Sequence, residues 1–425
     1  MAVSPVTDMA WRAALPLPAA SAVPDTPTDP SRMTGGERRA SLSLASIFAL
    51  RMLGLFLVLP VFALEARRYP GGDDPALVGL AMGVYGLTQA LLQIPLGMAS
   101  DRWGRKPVIL AGLGLFALGS AVAAWAPSVH WLVAGRALQG AGAISAAVTA
   151  FLADVTRDSV RTKAMALVGM SIALMFALSL VLAPLLAAGI GLRGLFALTT
   201  ALALAGMAIV AWVVPPEPAQ HKDPARGGLR EVLRHAGLLR LDFGVFALHA
   251  VQLSMWMAVP AVLVQAGLAA AEHWKVYLPA VLVSFLLMGG ALFRLERKGY
   301  LRAVFLFAIG LILAVQLGFL ALGQSPSLWL AATLLCLFFT GFNALEASQP
   351  SLASRLAPPA HRGTALGVYN TLQSLGFFAG GAVGGWLSKT QGSTGVFAAC
   401  AGLSALWLLL AWPMKAPAVS GPVRH

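Results

Sequence analysis

The chain has 425 residues, 58% of them hydrophobic and only 11% charged, with a mean hydropathy of +0.78. Soluble domains carry about 25% charged residues, so water is excluded as the main solvent. The net charge of +13 would suggest nucleic acid in a soluble protein, but here Lys and Arg fall in short segments between apolar runs, where they set membrane topology. No nucleic-acid partner is expected.

The first 40 residues are rich in Pro, Ser, Thr and Asp and read as a disordered cytoplasmic tail, residues 1–40. A signal peptide starting at Arg12 is the competing reading, but Pro16 and Pro18 interrupt its short apolar core. Six apolar segments follow, at 41–64, 76–100, 107–126, 130–153, 163–188 and 194–215. Six more cover 241–265, 275–293, 300–323, 327–349, 363–387 and 394–414. A hydrocarbon core about 30 Å thick needs about 20 apolar residues per helix. The runs are continuous rather than alternating, which excludes a barrel. The fold class expected is an all-α membrane protein with twelve transmembrane helices, numbered spans 1–12.

Between spans 6 and 7 lies a polar, basic linker, 216–240, dividing the spans into nearly equal blocks, 41–215 and 241–414, with a short tail at 415–425. In the linker, Leu229, Val232 and Leu233 share a helical face opposite Arg230 and Arg234, a pattern suited to a surface helix or, equally, to a solvated connection. Arg161-Thr-Lys-Ala164 at the start of span 5 is echoed by Arg362-Gly-Thr-Ala365 at the start of span 11. That echo suggests an internal duplication into two pseudo-symmetric six-helix bundles. Loops after even-numbered spans are far richer in Lys and Arg than the others, so both termini are expected in the cytoplasm. Trp274, Lys275 and Tyr277 read as an interfacial anchor at the opposite face.

Cys336 and Cys400 sit inside apolar runs, so neither a disulfide framework nor a thiolate metal site is expected. No P-loop, H-E-x-x-H or G-x-S-x-G pattern occurs. An enzyme, an ATP-driven pump, a metal and a cofactor are all unsupported; an ion gradient is the expected energy source.

The most specific signal joins spans 2 and 3: Gly97, Asp101, Arg102, Gly104, Arg105, Lys106 and Pro107 in the order G-x-x-x-D-R-x-G-R-K-P. Gly97 and Asp101, four apart, share a helical face, Gly104 permits a tight turn, and Pro107 suits the first turn of a helix. This segment resembles motif A of the major facilitator superfamily at every defining position. The resemblance implies two six-helix bundles with substrate between them. It also implies a charge relay in which Arg105 bridges Asp101 to Asp154 at the end of span 4, with the start of span 11 nearby, favouring the outward-open state.

Span 4 carries Leu132, Arg136, Gln139, Gly140 and Gly142, which resembles motif B of the same superfamily. A central arginine costs about 2.5–3.5 kcal/mol on insertion scales, so Arg136 must face protein or a wet cavity. The resemblance implies proton coupling, and interhelical hydrogen bonding is the structural alternative. Ser179 to Pro184 is a degraded motif C, a mark of drug exporters, with both glycines replaced. Span 11 supplies Gly376, Gly380, Gly381, Gly384 and Gly385, which suit close packing. Further stretches, Met33 to Arg39, Arg51 to Pro60, Ala271 to Leu278 and Glu346 to Leu352, are similar to a bacterial inner-membrane branch of the superfamily. A soluble domain that follows span 12 in that branch is expected to be missing.

The resemblance draws attention to ionisable groups at membrane depth: Arg51 in span 1, His249 in span 7 and Glu346 in span 10. Lipid exposure of all three is implausible. Spans 1, 7 and 10 line the central cavity in the family fold, so Arg51 and Glu346 are expected to face it and interact, directly or through water, with Glu346 exchanging protons. Gln89, Gln93, Asn343, Asn370 and Gln373 are candidates for orienting substrate. Trp256, Phe338 and Tyr369 are candidate aromatic surface. The functional expectation is a monomeric secondary transporter of the bacterial inner membrane working by alternating access. It would be a proton-coupled antiporter exporting a small hydrophobic or amphipathic solute. Proton-coupled uptake is the alternative, and a receptor or scaffold the alternative outside transport.

Overall fold

The computed structural model describes residues 32–217, 229–288, Arg294, 300–323, 326–358 and 361–414; the reading of residues 1–31 and 415–425 as tails lies outside them. Every regular element among the described residues is helical. Helix α1 (Gly35–Phe56) opens on a reciprocal cap: Thr34 Oγ1 accepts from the Glu37 amide at 3.1 Å, and Glu37 Oε2 accepts from the Thr34 amide at 2.8 Å. After a turn at Leu57 and Val58 the chain resumes as α2 (Leu59–Glu65), with Pro60 in its first turn. Together they form span 1.

Span 2 is α3 (Pro75–Trp103), N-capped by Asp74, and span 3 is α4 (Arg105–Ala124). Span 4 is broken. Its first part, α5 (Val129–Ala141), stops at Gly142, and α6 (Ser145–Asp154) restarts three residues later. Spans 5 and 6 form one continuous stretch, α7 (Asp158–Trp212), folded at Gly191, where φ is +63°. Among its described residues the linker holds a single helical turn, α8 (Leu229–Val232). Of the three residues expected on its apolar face, Val232 is buried against protein and Leu229 and Leu233 are exposed.

The second block repeats the plan. Span 7 is α9 (Ala236–Gln265), span 8 includes α10 (Trp274–Leu287), and spans 9 and 10 are α11 (Leu301–Leu322) and α12 (Leu328–Leu356). Spans 11 and 12 form α13 (Arg362–Ala411), folded at Gly392 with φ +67°. Gly191 and Gly392 have the same spacing as Arg161 and Arg362, so the duplication seen in sequence is also present in backbone geometry. Positive φ at these two turns is open to glycine at little cost.

Helix α13 has two glycine faces. Gly376, Gly380 and Gly384 lie against Phe246, Ala250 and Ser254 of α9, inside its own bundle. Gly381 and Gly385 lie against Gly79 and Gly83 of α3, across the two bundles. A Cβ on Gly381 would sit 2.6 Å from the Gly79 carbonyl oxygen, so the backbones touch only because side chains are absent. This seam lies at the end of the molecule away from the basic loops, here the far end. Lys389 and Asp74 pair across it at 2.9 Å. Toward the basic end the same helices part: Leu91, Ile94 and Met98 of α3 are exposed, and Gly363 and Gly367 of α13 face open space.

Candidate functional site

Arg51 and Glu346 are brought to membrane depth but not into contact. Each is held by its own bundle. Arg51, 1% exposed, donates from Nη2 to Tyr85 Oη at 2.7 Å and Gln89 Oε1 at 3.4 Å, and from Nη1 to Ser145 Oγ at 3.3 Å. Its guanidinium carbon lies 5.5 Å from the centre of the Phe116 ring. Arg136 flanks Tyr85, 4.9 Å from that ring centre, and donates to Gln139 Oε1 at 2.9 Å and the Met82 carbonyl at 3.4 Å. Gln139 passes the network to Ser120 Oγ at 2.7 Å. Gly140 lets α5 approach the backbone of α3 at Tyr85. Both arginines are thus spared lipid, as their insertion cost demands.

In the second bundle, Glu346 Oε2 lies 3.3 Å from His249 Nε2, and Gln373 Nε2 reaches His249 Nε2 at 2.8 Å and Glu346 Oε1 at 3.4 Å. His249 Nδ1 lies 2.9 Å from the Val245 carbonyl oxygen. A carbonyl can only accept, so Nδ1 carries a proton and the variable proton belongs to Nε2. Glu346 Oε2 is shut from solvent, yet the side chain as a whole is 39% exposed. One oxygen therefore faces the histidine while the rest of the side chain remains partly exposed.

Gln89 Nε2 donates to Ser374 Oγ at 3.0 Å, a polar bond between bundles. Ser374 in turn donates to the Asn370 carbonyl at 3.0 Å. Asn343 is turned toward α10, donating to Ser284 Oγ at 2.8 Å, and Gln93 is buried in α3 with Oε1 unpartnered. Trp256, Phe338 and Tyr369 are buried within the second bundle rather than lining the opening. Residues that sequence reasoning missed are Tyr85, Ser145, Ser374 and Asp242, the last a carboxylic acid buried in α9. Only Asp242 carried a signal, a charge inside an apolar run.

At the basic end Arg105 donates from Nε to Asp154 Oδ2 at 2.9 Å and from Nη1 to Asp101 and, at 2.8 Å, to Ser100 Oγ. Asp101 is 64% exposed and makes no bond to the start of α13 among the described residues. The bundles are apart at this end, so the part of the relay implied for span 11 is not engaged. A further member was not anticipated: Glu217, where span 6 runs into the linker. Its carboxylate accepts from the Arg105 and Lys106 amides at 2.8 and 2.5 Å, capping α4. Lys106 Nζ donates to the Val214 carbonyl at 2.6 Å. Gly104 has φ +99°, and Arg102 and Pro107 complete this turn. Nearby, Glu37 is gripped by Arg157 through Nε at 2.8 Å and Nη2 at 3.0 Å, and that guanidinium pulls its carboxyl down to about 2.

The sequence profile of the Major Facilitator Superfamily matches residues 44–381 and 296–424. The chain belongs to the major facilitator superfamily. It is 44% identical over 390 residues to the inner membrane transport protein YajR of Escherichia coli (strain K12), covering 91% of this chain and 85% of that protein. It is 29% identical to the multidrug resistance protein MdtH of Klebsiella pneumoniae (strain 342), over 79% of this chain and 83% of that protein. The nucleoside transporter NupG shares the fold with a TM-score of 0.72 at 14% identity, over 88% of this chain and 99% of that one. Membership of the major facilitator superfamily makes this an all-α membrane protein of twelve spans and a secondary transporter of small molecules, not an enzyme.

Proposed function

We propose that this protein is a proton-coupled antiporter of the bacterial inner membrane that exports a small hydrophobic or amphipathic solute, with the proton carried at Glu346 and His249. The observation that carries the proposal is their 3.3 Å approach at membrane depth, with the Glu346 side chain still 39% exposed. Two acceptors face each other there unless a proton lies between them, so the pair has a built-in reason to bind one. Gln373 complements both states. Its amide nitrogen donates to bare Nε2, and after a flip its oxygen accepts from protonated Nε2.

The basic end is taken as the cytoplasm, which makes the described state inward-open and places both termini inside. Moving one elementary charge through 100 mV supplies about 2.3 kcal/mol, enough to bias exchange between two states of similar energy. The multidrug relative favours export. The test uses vesicles carrying wild type or Glu346→Gln, with an imposed proton gradient and a panel of lipophilic dyes. Dye efflux coupled to proton entry is expected for wild type only. Equal coupling in Glu346→Gln removes this residue from the mechanism, and dye and proton moving in the same direction replaces export by uptake.

A further inference from the structure

We infer that Arg51 and the broken turn of span 4 form a subsite for an anionic group, so that the transported solute is an amphipathic organic anion bearing a carboxylate, sulfonate or phosphate. This rests on the transport reading above and narrows its substrate class.

Arg51 is a fixed cation, 1% exposed, whose hydrogen-bond partners Tyr85, Gln89 and Ser145 are all neutral. Among the described residues no carboxylate lies within ion-pair distance of it, and its Nε has no acceptor. A guanidinium kept only for packing is normally settled by an acid or by backbone carbonyls. Arg136 has such a carbonyl, from Met82. Arg51 has none.

The second element is the restart of the helix. Residues Gly142 to Ile144 are not helical, and α6 begins at Ser145 with no side chain capping it. The first amides of a helix lack intrahelical partners and concentrate positive potential. Here the hydroxyl at that first position is the one bonded to Arg51 at 3.3 Å. An uncapped helix start and an unpaired guanidinium thus converge on one point. Half-helix N-termini at membrane depth suit anionic substrate groups for this reason.

The location also divides the labour. Ser145 and Gln89 are only partly buried, and Gln89 reaches across to Ser374 of α13, so the point lies where the two bundles meet. The anion is held by the first bundle, while Glu346 and His249 hold the proton on the second. A large apolar remainder of the solute finds Phe56, Phe176 and Phe342, whose rings form a contact chain across the bundles, 5.2 and 6.3 Å between successive centres.

The test is thermal unfolding of purified protein with one aromatic scaffold in four forms: 2-naphthoate, naphthalene-2-sulfonate, neutral 2-naphthamide and cationic 2-naphthylmethylammonium. The anions are expected to raise Tm by several degrees and the other two to leave it unchanged. Arg51→Lys keeps part of the shift and Arg51→Gln loses it. Because Arg51→Gln carries a folding risk, Ser145→Ala is the second variant, with the guanidinium left in place and anion affinity expected to fall about fivefold or more. Stabilisation by the amide or the ammonium, an anion effect that survives both Arg51→Gln and Ser145→Ala, or no shift by either anion overturns the subsite. Glu346→Gln is expected to retain the anion shift. If it retains the shift but also retains proton coupling, the proton assignment fails and the subsite stands.

Discussion

Gly104 shows how much a single residue contributes at the basic-end turn. Its φ of +99° is a conformation in which side chains are strained, and Glu217 closes over it to cap α4. Gly104→Ala is expected to lower stability by about 1–3 kcal/mol, measured as a drop in Tm. At the neighbouring Glu37, Arg157 holds the carboxyl near 2 against an ordinary 4.5. A depressed folded-state value stabilises above the unfolded one and is lost as pH falls through the folded one. Arg157→Gln should therefore cost some stability at pH 7, a modest amount because the guanidinium is 41% exposed and water screens the pair. The gap from wild type should close as pH falls from about 4.5 toward 2, followed in thermal melts. Sequence alone made Arg51, Arg136, His249 and Glu346 legible, since a charge in an apolar run must be buried or used. Their partners were not legible. Tyr85, Ser145 and Ser374 are ordinary in composition, and only the rotation of each helix decides which of them meets a guanidinium or an amide.

Among the elements, α3 and α13 decide which end is shut. Their contact rests on glycine backbones, with Asp74 and Lys389 as a cross-link above it. Lys389 holds Asp74 below the usual carboxylate range. Both side chains are substantially exposed, and water screens such surface pairs so that they contribute little. Lys389→Met is accordingly expected to shift the balance only slightly toward far-end opening. Gly381→Leu, which places a branched chain against the Gly79 carbonyl, is expected to force that end apart. Spin labels on α3 and α13 near the seam would read both, and an unchanged distance in Gly381→Leu would count against the seam as the closure. Asp101→Asn weakens the grip of Arg105 at the basic end and is expected to move the population further inward, away from the state in which that loop docks on α13. The five glycines of span 11 were visible in the sequence as a packing signal. Their division into two faces was not, because it follows from which neighbour each faces.

For the whole molecule, the twelve spans could be read from sequence because a bilayer demands about 20 apolar residues each time the chain crosses. The duplication was legible from one short echo. The structure extends it: Lys106 holds the end of span 6 through Val214, and Arg302 holds the end of span 12 through Trp412 and Met414 at 2.7 and 2.8 Å. Glu37 with Arg157 ties the first bundle's opening helix to its central loop, and Glu231 with His361, at 2.7 Å, ties the linker turn α8 just before the second bundle to the matching loop there. Which end stands open was not legible, since alternating states share one sequence. Cysteines placed at Met98 and at Ser374, which is 1% exposed where the bundles meet, in a chain lacking Cys336 and Cys400, should differ in reaction with a water-soluble maleimide. The first is expected to label readily and the second to resist, and equal labelling would contradict an opening confined to one end.

Gly191 and Gly392 fold spans 5 and 6, and spans 11 and 12, back on themselves with no intervening loop. An antibody or phage approaching from that direction meets few protruding epitopes there. A peptide tag inserted at either bend would pry a helical hairpin apart, so neither bend suits the protein engineer as a place for one.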